Sequence, residues 1–179
     1  MPVPRTDLSA FADALAARLP DHWTSTYYLH AQYRDQFAAT HRLWDTGHIA
    51  AVADQYVLGH HAILLGPGGR QLYVADRPLR QDQFVVAVLE PEGDGIRPHH
   101  FVGIDVPNGI ALSDDPARAA AQVTRRLLPR YQAALDTVRH NAATRPDPPH
   151  RSDPHTTKPV TSPARPPVAP QVNSPARHR

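Results

Sequence analysis

Histidine is the residue type in this chain that is best suited to chemistry. Imidazole binds transition metals and exchanges protons near neutral pH, and the chain contains 12 histidines. Two adjacent pairs, His60 with His61 and His99 with His100, lie near the ends of apolar runs, as does Asp76. Because neighbouring residues on a strand point to opposite faces, each pair offers one ring to a given site. The sequence therefore predicts a candidate metal site made of His61, Asp76, His99 and His100.

The alternative is that these histidines are polar residues at strand ends without a ligand. The chain has no His-Glu-x-x-His motif and no other histidine pair at i, i+4 spacing in a predicted helix. The helical pattern of many zinc enzymes is therefore absent. A histidine-dependent metalloenzyme is accordingly the third of three hypotheses for the function.

A second set of candidate residues is cationic and lies in the last predicted helix. At 100° per residue its arginines fall away from the apolar stripe. An exposed, arginine-rich helix face can lie along a phosphate backbone. The alternative is a solvated face that is balanced by acidic residues elsewhere. The predicted nucleic-acid-binding residues are Arg118, Arg125, Arg126 and Arg130.

Several residue types that common catalytic mechanisms need are missing. The chain has no cysteine, which excludes disulfides, thiolate zinc sites and cysteine nucleophiles. Its single lysine is Lys158, so residues 1–140 cannot form a Schiff base. No Gly-x-Ser-x-Gly motif is present. We therefore expect no catalytic residue, no cofactor and an activity that is not enzymatic.

The centre of the predicted fold is an apolar segment at residues 60–89. Its three apolar runs of about six residues predict strands, and Gly-Pro-Gly-Gly at residues 66–69 predicts a tight hairpin between the first two. Residues 23–29 are rich in aromatic and β-branched types and predict another strand. An edge strand is also predicted at residues 100–106.

Apolar residues at helical spacing predict three helices, at residues 7–19, 45–58 and 116–141. Pro129 lies inside the last of them and predicts a kink or a break. We expect residues 30–43 to form a loop with a short helix. The sequence thus predicts a single α+β domain at residues 6–140, in which a mostly antiparallel sheet of four or five strands packs with three helices.

The chain changes character after residue 140. Residues 1–140 contain 13 arginines and 15 acidic residues, whereas residues 141–179 contain five arginines, one lysine and two acidic residues. The overall charge of +2 therefore arises from the C-terminal segment. Ten prolines also fall in this segment, which cannot bury enough apolar surface to offset the entropy of ordering. We predict a disordered Pro/Arg-rich tail at residues 141–179.

The N-terminal segment bears on location. Residues 1–20 include Asp7 and Asp13 and have no continuous apolar core, which is unlike a secretion signal. No stretch approaches the roughly 20 apolar residues of a membrane span. We therefore expect a cytoplasmic protein that has no membrane partner.

Residues 8–140 resemble a family of small proteins from high-GC actinobacteria to which no activity is assigned. The resemblance implies a recurring folded unit and carries over no catalytic residue. The matching segments are Trp-Thr-Ser-Thr-Tyr at residues 23–27, Leu-Trp-Asp at 43–45, Leu-Tyr-Val-Ala-Asp-Arg-Pro at 72–78 and Arg-Leu-Leu-Pro-Arg-Tyr at 126–131.

The first hypothesis for function is a small, non-enzymatic binding or accessory module. It would act through a protein partner or through self-association, and Trp44, Tyr56 and Tyr73 provide aromatic residues for an interface. The second hypothesis is a nucleic-acid-associated protein that uses the last helix and the basic tail.

Overall fold

The structure is a computed structural model that describes residues 7–80, 82–93 and 95–145. Five strands form one sheet, and each pairs antiparallel with the next strand along the chain. The sheet is therefore an open meander, which confirms the predicted α+β fold. The strands are β1 (Thr24–Leu29), β2 (His60–Leu65), β3 (Gln71–Asp76), β4 (Gln83–Val88) and β5 (Ile110–Ser113).

The edge strand predicted at residues 100–106 is wrong. This region begins with a 3₁₀ turn, Pro98–Phe101, and continues as loop. Pro98 has no N–H for a ladder and fits the first position of a helical turn, and Gly103 has a φ of +81°. The fifth strand follows later, at β5.

Helices flank the sheet in the expected places. Asp7 caps the first through a side-chain bond from the Ala10 N–H (3.5 Å), and the Asp115 carboxylate accepts the Ala117 N–H at 2.9 Å. Residues 30–43, where a short helix was expected, contain a 3₁₀ turn, Tyr33–Gln36, followed directly by a short α-helix. The helices are α1 (Leu8–Ala16), α2 (Phe37–Thr40), α3 (His48–Gln55), α4 (Pro116–Gln122) and α5 (Leu128–Thr144).

Pro129 does not break the last helix. A π-helical turn, Val123–Leu127, joins α4 to α5, and the Leu128 N–H donates to the carbonyl of Val123. Proline has no N–H of its own, and the helix continues through Pro129 after this wider turn.

Both faces of the sheet are covered. On one face, α1, α4 and α5 enclose the larger core, in which the rings of Phe11 and Phe84 stack with centroids 4.0 Å apart. On the other face, a smaller core contains Ile49 of α3 together with Tyr73 and Val85. This arrangement explains why the third apolar run is hydrophobic on both sides.

The folded unit extends beyond the predicted end at residue 140. α5 continues to Thr144, and the buried Asn141 side chain donates from Nδ2 to the His100 carbonyl at 2.8 Å. Contacts divide the chain into the units Met1–Pro146 and Asp147–Arg179. The predicted disordered tail lies, from residue 146 onward, outside the described residues.

Candidate functional site

β1 lies at one end of the sheet, so one side of its backbone has no strand beside it among the described residues. The His30 N–H donates to the Gly59 carbonyl at 2.9 Å, which continues the β1–β2 register by one pair. Because the hydrogen-bonding direction alternates along an antiparallel strand, the even-numbered residues of β1 bond to β2. The backbone groups of Ser25, Tyr27 and Leu29 therefore face the free edge.

The sequence of β1 lacks the charged residues and prolines that often protect an exposed strand. β1 has six residues, none of them charged and none of them proline. Three of its side chains are substantially exposed, Tyr27 by 37%, Tyr28 by 46% and Leu29 by 74%. An uncharged, exposed edge is a template on which another strand can pair. In the described part of the chain, β1 is therefore a surface suited to an extended segment.

A chain of hydrogen bonds fixes Tyr27 at this edge. His60 Nε2 lies 2.7 Å from Asp76 Oδ2, and His60 Nδ1 lies 2.7 Å from the Tyr27 hydroxyl. With an ionised Asp76, the Nε2–H of His60 donates to the carboxylate, and Nδ1 accepts the O–H of Tyr27. The three side chains come from three adjacent strands and lie on one face of the sheet.

His61 lies on the opposite face in a different environment. It is 5% exposed, and its ring stacks on those of Tyr28 and Tyr73 with centroid distances of 4.9 and 5.3 Å. His61 Nδ1 lies 2.6 Å from His30 Nε2, and His30 Nδ1 lies 2.5 Å from the Leu58 carbonyl. A neutral His30 must donate to that carbonyl through Nδ1–H, so its Nε2 accepts a hydrogen bond from the Nδ1–H of His61.

The electrostatics of this buried face keep it uncharged. Burial, and to a smaller extent the charges of His30 and His60, lower the pKa of His61 to about 4. Beneath it, the buried Tyr73 hydroxyl has no hydrogen-bond partner in the described residues, and burial raises the Tyr73 pKa well above its usual range. At neutral pH the stack is therefore a neutral support for Tyr28.

Two open depressions lie beside the histidines. A cleft of about 510 Å³ is lined by residues 56–60 and 76–80, and a groove of about 320 Å³ includes Tyr28, His30 and His61 in its walls. Both ring nitrogens of the histidine in the cleft, His60, are already hydrogen-bonded. These two bonds hold the Tyr27 side chain in place.

The structure does not bring the predicted metal ligands together. Asp76 bonds to His60, and His61 points to the other face because adjacent strand residues alternate. Among residues 7–80, 82–93 and 95–145, no group of three or more histidine, aspartate or glutamate side chains could hold a metal ion.

The other two predicted metal ligands lie in a different element. His99 and His100 belong to the 3₁₀ turn Pro98–Phe101, which packs against α5, and their rings meet edge to face with centroids 4.1 Å apart. His100 Nδ1 accepts the Arg97 N–H at 3.0 Å, so this ring fastens its own turn. The four predicted ligands therefore do not form one site.

The predicted arginine face is exposed, but most of its guanidinium groups are engaged within the chain. Arg118 lies 3.4 Å from the carboxylate that caps α4, and Arg125 donates to a backbone carbonyl one turn earlier. Arg130 donates to the carbonyls of Val106 and Asn108 at 3.3 and 3.4 Å. Arg130 therefore fastens the loop before β5. The exposed arginines are Arg118, Arg125, Arg126 and Arg130.

Sequence reasoning linked Asp76 to the wrong histidine and missed Tyr27. The hairpin closes with the Gly66 N–H bonded to the Arg70 carbonyl at 2.8 Å, and this register places His60 opposite Asp76. The glycine-rich turn indicated a hairpin between β2 and β3, but the length of the turn alone did not determine which residues of the two strands lie opposite each other. No sequence signal connects Tyr27 to His60, because their contact depends on strand pairing across a long loop.

Comparison with known proteins adds no relative: no protein-family model, curated protein or solved structure matches the chain. In the part of the chain that the structure describes, none of the helices has the length and apolar character needed to cross a membrane.

Proposed function

We propose that this protein is a small, non-enzymatic binding module, and that its partner pairs as a strand with the free edge of β1. The observation that carries the proposal is an uncharged, proline-free edge of six residues with exposed Tyr27, Tyr28 and Leu29. We further propose that it acts in the cytoplasm, in keeping with a chain that has no cysteine.

Pairing of an added strand with β1 would supply both affinity and specificity. The N–H and C=O groups of Ser25, Tyr27 and Leu29 give backbone hydrogen bonds, while side chains on alternate faces give specificity. Tyr27 and Tyr28 lie on opposite faces of the sheet, so an added strand would meet one tyrosine on each side. Tyrosine is among the residues that contribute most to protein interfaces.

The histidines support this edge by fixing both tyrosines before a partner arrives. His60 accepts the Tyr27 hydroxyl, and His61 stacks on Tyr28 with an interplanar angle of 14°. Ordering these side chains in the free protein reduces the entropy that binding must remove. His60 and His61 thus act, in this proposal, as a scaffold for the edge.

The other two hypotheses receive less support from the geometry. Arg118 is paired with Asp115, and Arg130 is bonded to the loop before β5, so only part of this face has free donors for a phosphate backbone. The four predicted metal ligands make separate contacts and do not surround a common position where a metal ion could bind.

A pair of matched variants tests the proposal. Leu29→Lys places a charge on the free edge, whereas Leu79→Lys places the same charge on an 86%-exposed leucine in the loop after β3. Full-length tagged proteins would be used to capture partners, and the captured material would be quantified. We expect Leu29→Lys to reduce capture at least tenfold and Leu79→Lys to leave it unchanged. Equal capture by both variants would contradict binding through β1.

A further inference from the structure

We infer that the partner is a second copy of this chain, whose β1 pairs antiparallel with the first around a two-fold axis at Tyr27. This inference rests on the proposed function, because it names the strand that occupies the same edge. Two five-stranded sheets would then join into one continuous sheet of ten strands. Two-fold dimers of this kind use the same patch on both copies.

The backbone register favours a copy of β1 itself. Three residues present free N–H and C=O groups, and a two-fold axis at Tyr27 pairs Tyr27 with its equivalent and Ser25 with Leu29. Every outward group of the strand is then used, which gives six backbone hydrogen bonds between the copies. An axis at Thr26 or at Tyr28 would leave one outward residue of each strand opposite a residue outside β1.

The side chains are compatible with self-pairing. A strand with a charged residue near its centre would bring like charges together across the axis, and β1 has no charge. In the proposed register, Thr26 of one copy lies opposite Tyr28 of the other on one face, and the two Tyr27 rings adjoin on the other face. Pairs of aromatic and β-branched residues are favourable across antiparallel strands.

The C-terminal tail is a poor alternative occupant on sequence grounds. A strand partner for β1 must offer about six consecutive residues with backbone donors, and proline has none. From residue 146 to the end, no run without proline exceeds four residues. A second copy of β1 offers six such residues.

Sedimentation equilibrium of the full chain tests the inference first. We expect a species of twice the 19.7 kDa chain mass at high micromolar concentration, and a monomer for Leu29→Lys at the same concentration. Leu79→Lys should remain dimeric. A wild-type monomer would overturn the second copy as partner. If that monomer still captured a protein in a Leu29-dependent manner, the proposed function would stand; if it captured nothing, both proposals would fail.

Disulfide formation tests the register, and the absence of native cysteine makes the test clean. Thr26 and Tyr28 would face each other in a non-hydrogen-bonded pair, where the Cα atoms are about 4.5 Å apart and a disulfide can form. Thr26→Cys and Tyr28→Cys proteins, mixed under mild oxidation, should give mainly the mixed disulfide. Leu79→Cys controls for collisional cross-linking. If the only disulfide-linked product were the Thr26→Cys homodimer, the proposed register would be wrong. If cross-linking did not exceed that of Leu79→Cys, the proposed interface would be wrong.

Discussion

The two edges of the sheet are built differently. β1 has six residues and is exposed along almost its whole length, whereas β5 has four residues that are mostly half-buried. By the same alternation, only Ala111 and Ser113 of β5 point backbone groups outward. A helix packs against each edge strand, α1 against β1 and α4 against β5, so the edges differ in length and exposure rather than in helical contact. Short length is a common way to prevent an edge from pairing. β5 is the better protected edge, and β1 is the more open one.

The openness of β1 is therefore not a general property of the meander. The chain places Asp114 and Asp115 directly after β5 and begins a helix there, while no charge occurs in β1. The exposed aromatic residues at β1 are held by specific contacts rather than left to move freely. If β1 is open for these reasons, substitutions along it should change stability by amounts that depend on which way each backbone or side-chain group points.

The largest expected effect comes from proline at a residue whose N–H bonds to β2. Thr26→Pro should lower the free energy of unfolding by about 3 kcal/mol or more, whereas Leu29→Pro should lower it by less than about 1 kcal/mol, because the Leu29 N–H faces the open edge. Urea unfolding of the full-length variants measures both values. Thr26→Ala controls for loss of the threonine side chain. Similar losses of unfolding free energy for both proline variants would contradict the assignment of the Thr26 N–H to β2 and of the Leu29 N–H to the open edge.

Acid should destabilise the β1 side of the sheet. The pKa of His61 is lowered from 6.5 in the unfolded chain to about 4 in the fold, so between these values the unfolded state binds more protons and stability falls as pH falls. His30 and His60 are the titratable groups whose charges act on it. We expect a loss of about 1–3 kcal/mol between pH 6.5 and 4, with solvent screening included.

The control for the pH effect is replacement of the buried ring. His61→Phe keeps an aromatic ring between the tyrosines and should flatten the stability profile in this pH window. His22→Gln, at an exposed residue, should leave the profile unchanged. β4 and β5 contain no histidine, so their amides should keep their protection from hydrogen exchange. An unchanged profile in His61→Phe would show that His61 is not the source.

A smaller effect is expected from the hydrogen bond that fixes Tyr27. Tyr27→Phe should lower the free energy of unfolding by about 1 kcal/mol, because it leaves Nδ1 of His60 without its donor. His60→Gln combined with Tyr27→Phe should cost less than the sum of the single changes if the two groups interact. Chemical denaturation of all four proteins measures the coupling. Strict additivity would indicate that the bond contributes nothing.

The smallest effect is expected at the tyrosine beneath His61. The Tyr73 hydroxyl is buried without a partner in the described residues, so Tyr73→Phe should leave stability unchanged or raise it by up to about 1 kcal/mol. Tyr131 is the matched control, because its hydroxyl donates to Leu89 and accepts from the Gln71 N–H, each at 3.2 Å. Tyr131→Phe should cost about 1–2 kcal/mol. A larger loss at Tyr73 than at Tyr131 would contradict this account.

Local sequence patterns predicted much of the fold. The Gly-rich turn at residues 66–69 and its flanking apolar runs identified the central hairpin, and both Gly68 and Gly69 adopt the positive φ that such a turn needs. Asp115 followed by Pro116 identified the start of α4. These signals lie within a few residues of the structure they specify, so they can be interpreted one segment at a time.

The site could not be predicted in the same way, because it depends on register and on long-range contacts. Tyr27 and His60 meet only after β1 and β2 pair, and thirty residues, including α2 and α3, separate these strands. Pro129 was expected to kink or break its helix, and the sequence did not show that a π-helical turn would precede it. The sequence showed a strand at residues 23–29 but not that it would lie at an open edge.

Amide hydrogen exchange along β1 can show whether its outer edge is open in the monomer and pairs with a second copy. It would be measured by NMR on the full chain at two protein concentrations. At low concentration, the account predicts rapid exchange at Ser25, Tyr27 and Leu29 and slow exchange at Thr26 and Tyr28. At high concentration, the three outward amides should become protected as the edge pairs. Outward amides that remain unprotected at every concentration, or that are already protected in dilute monomer, would contradict it.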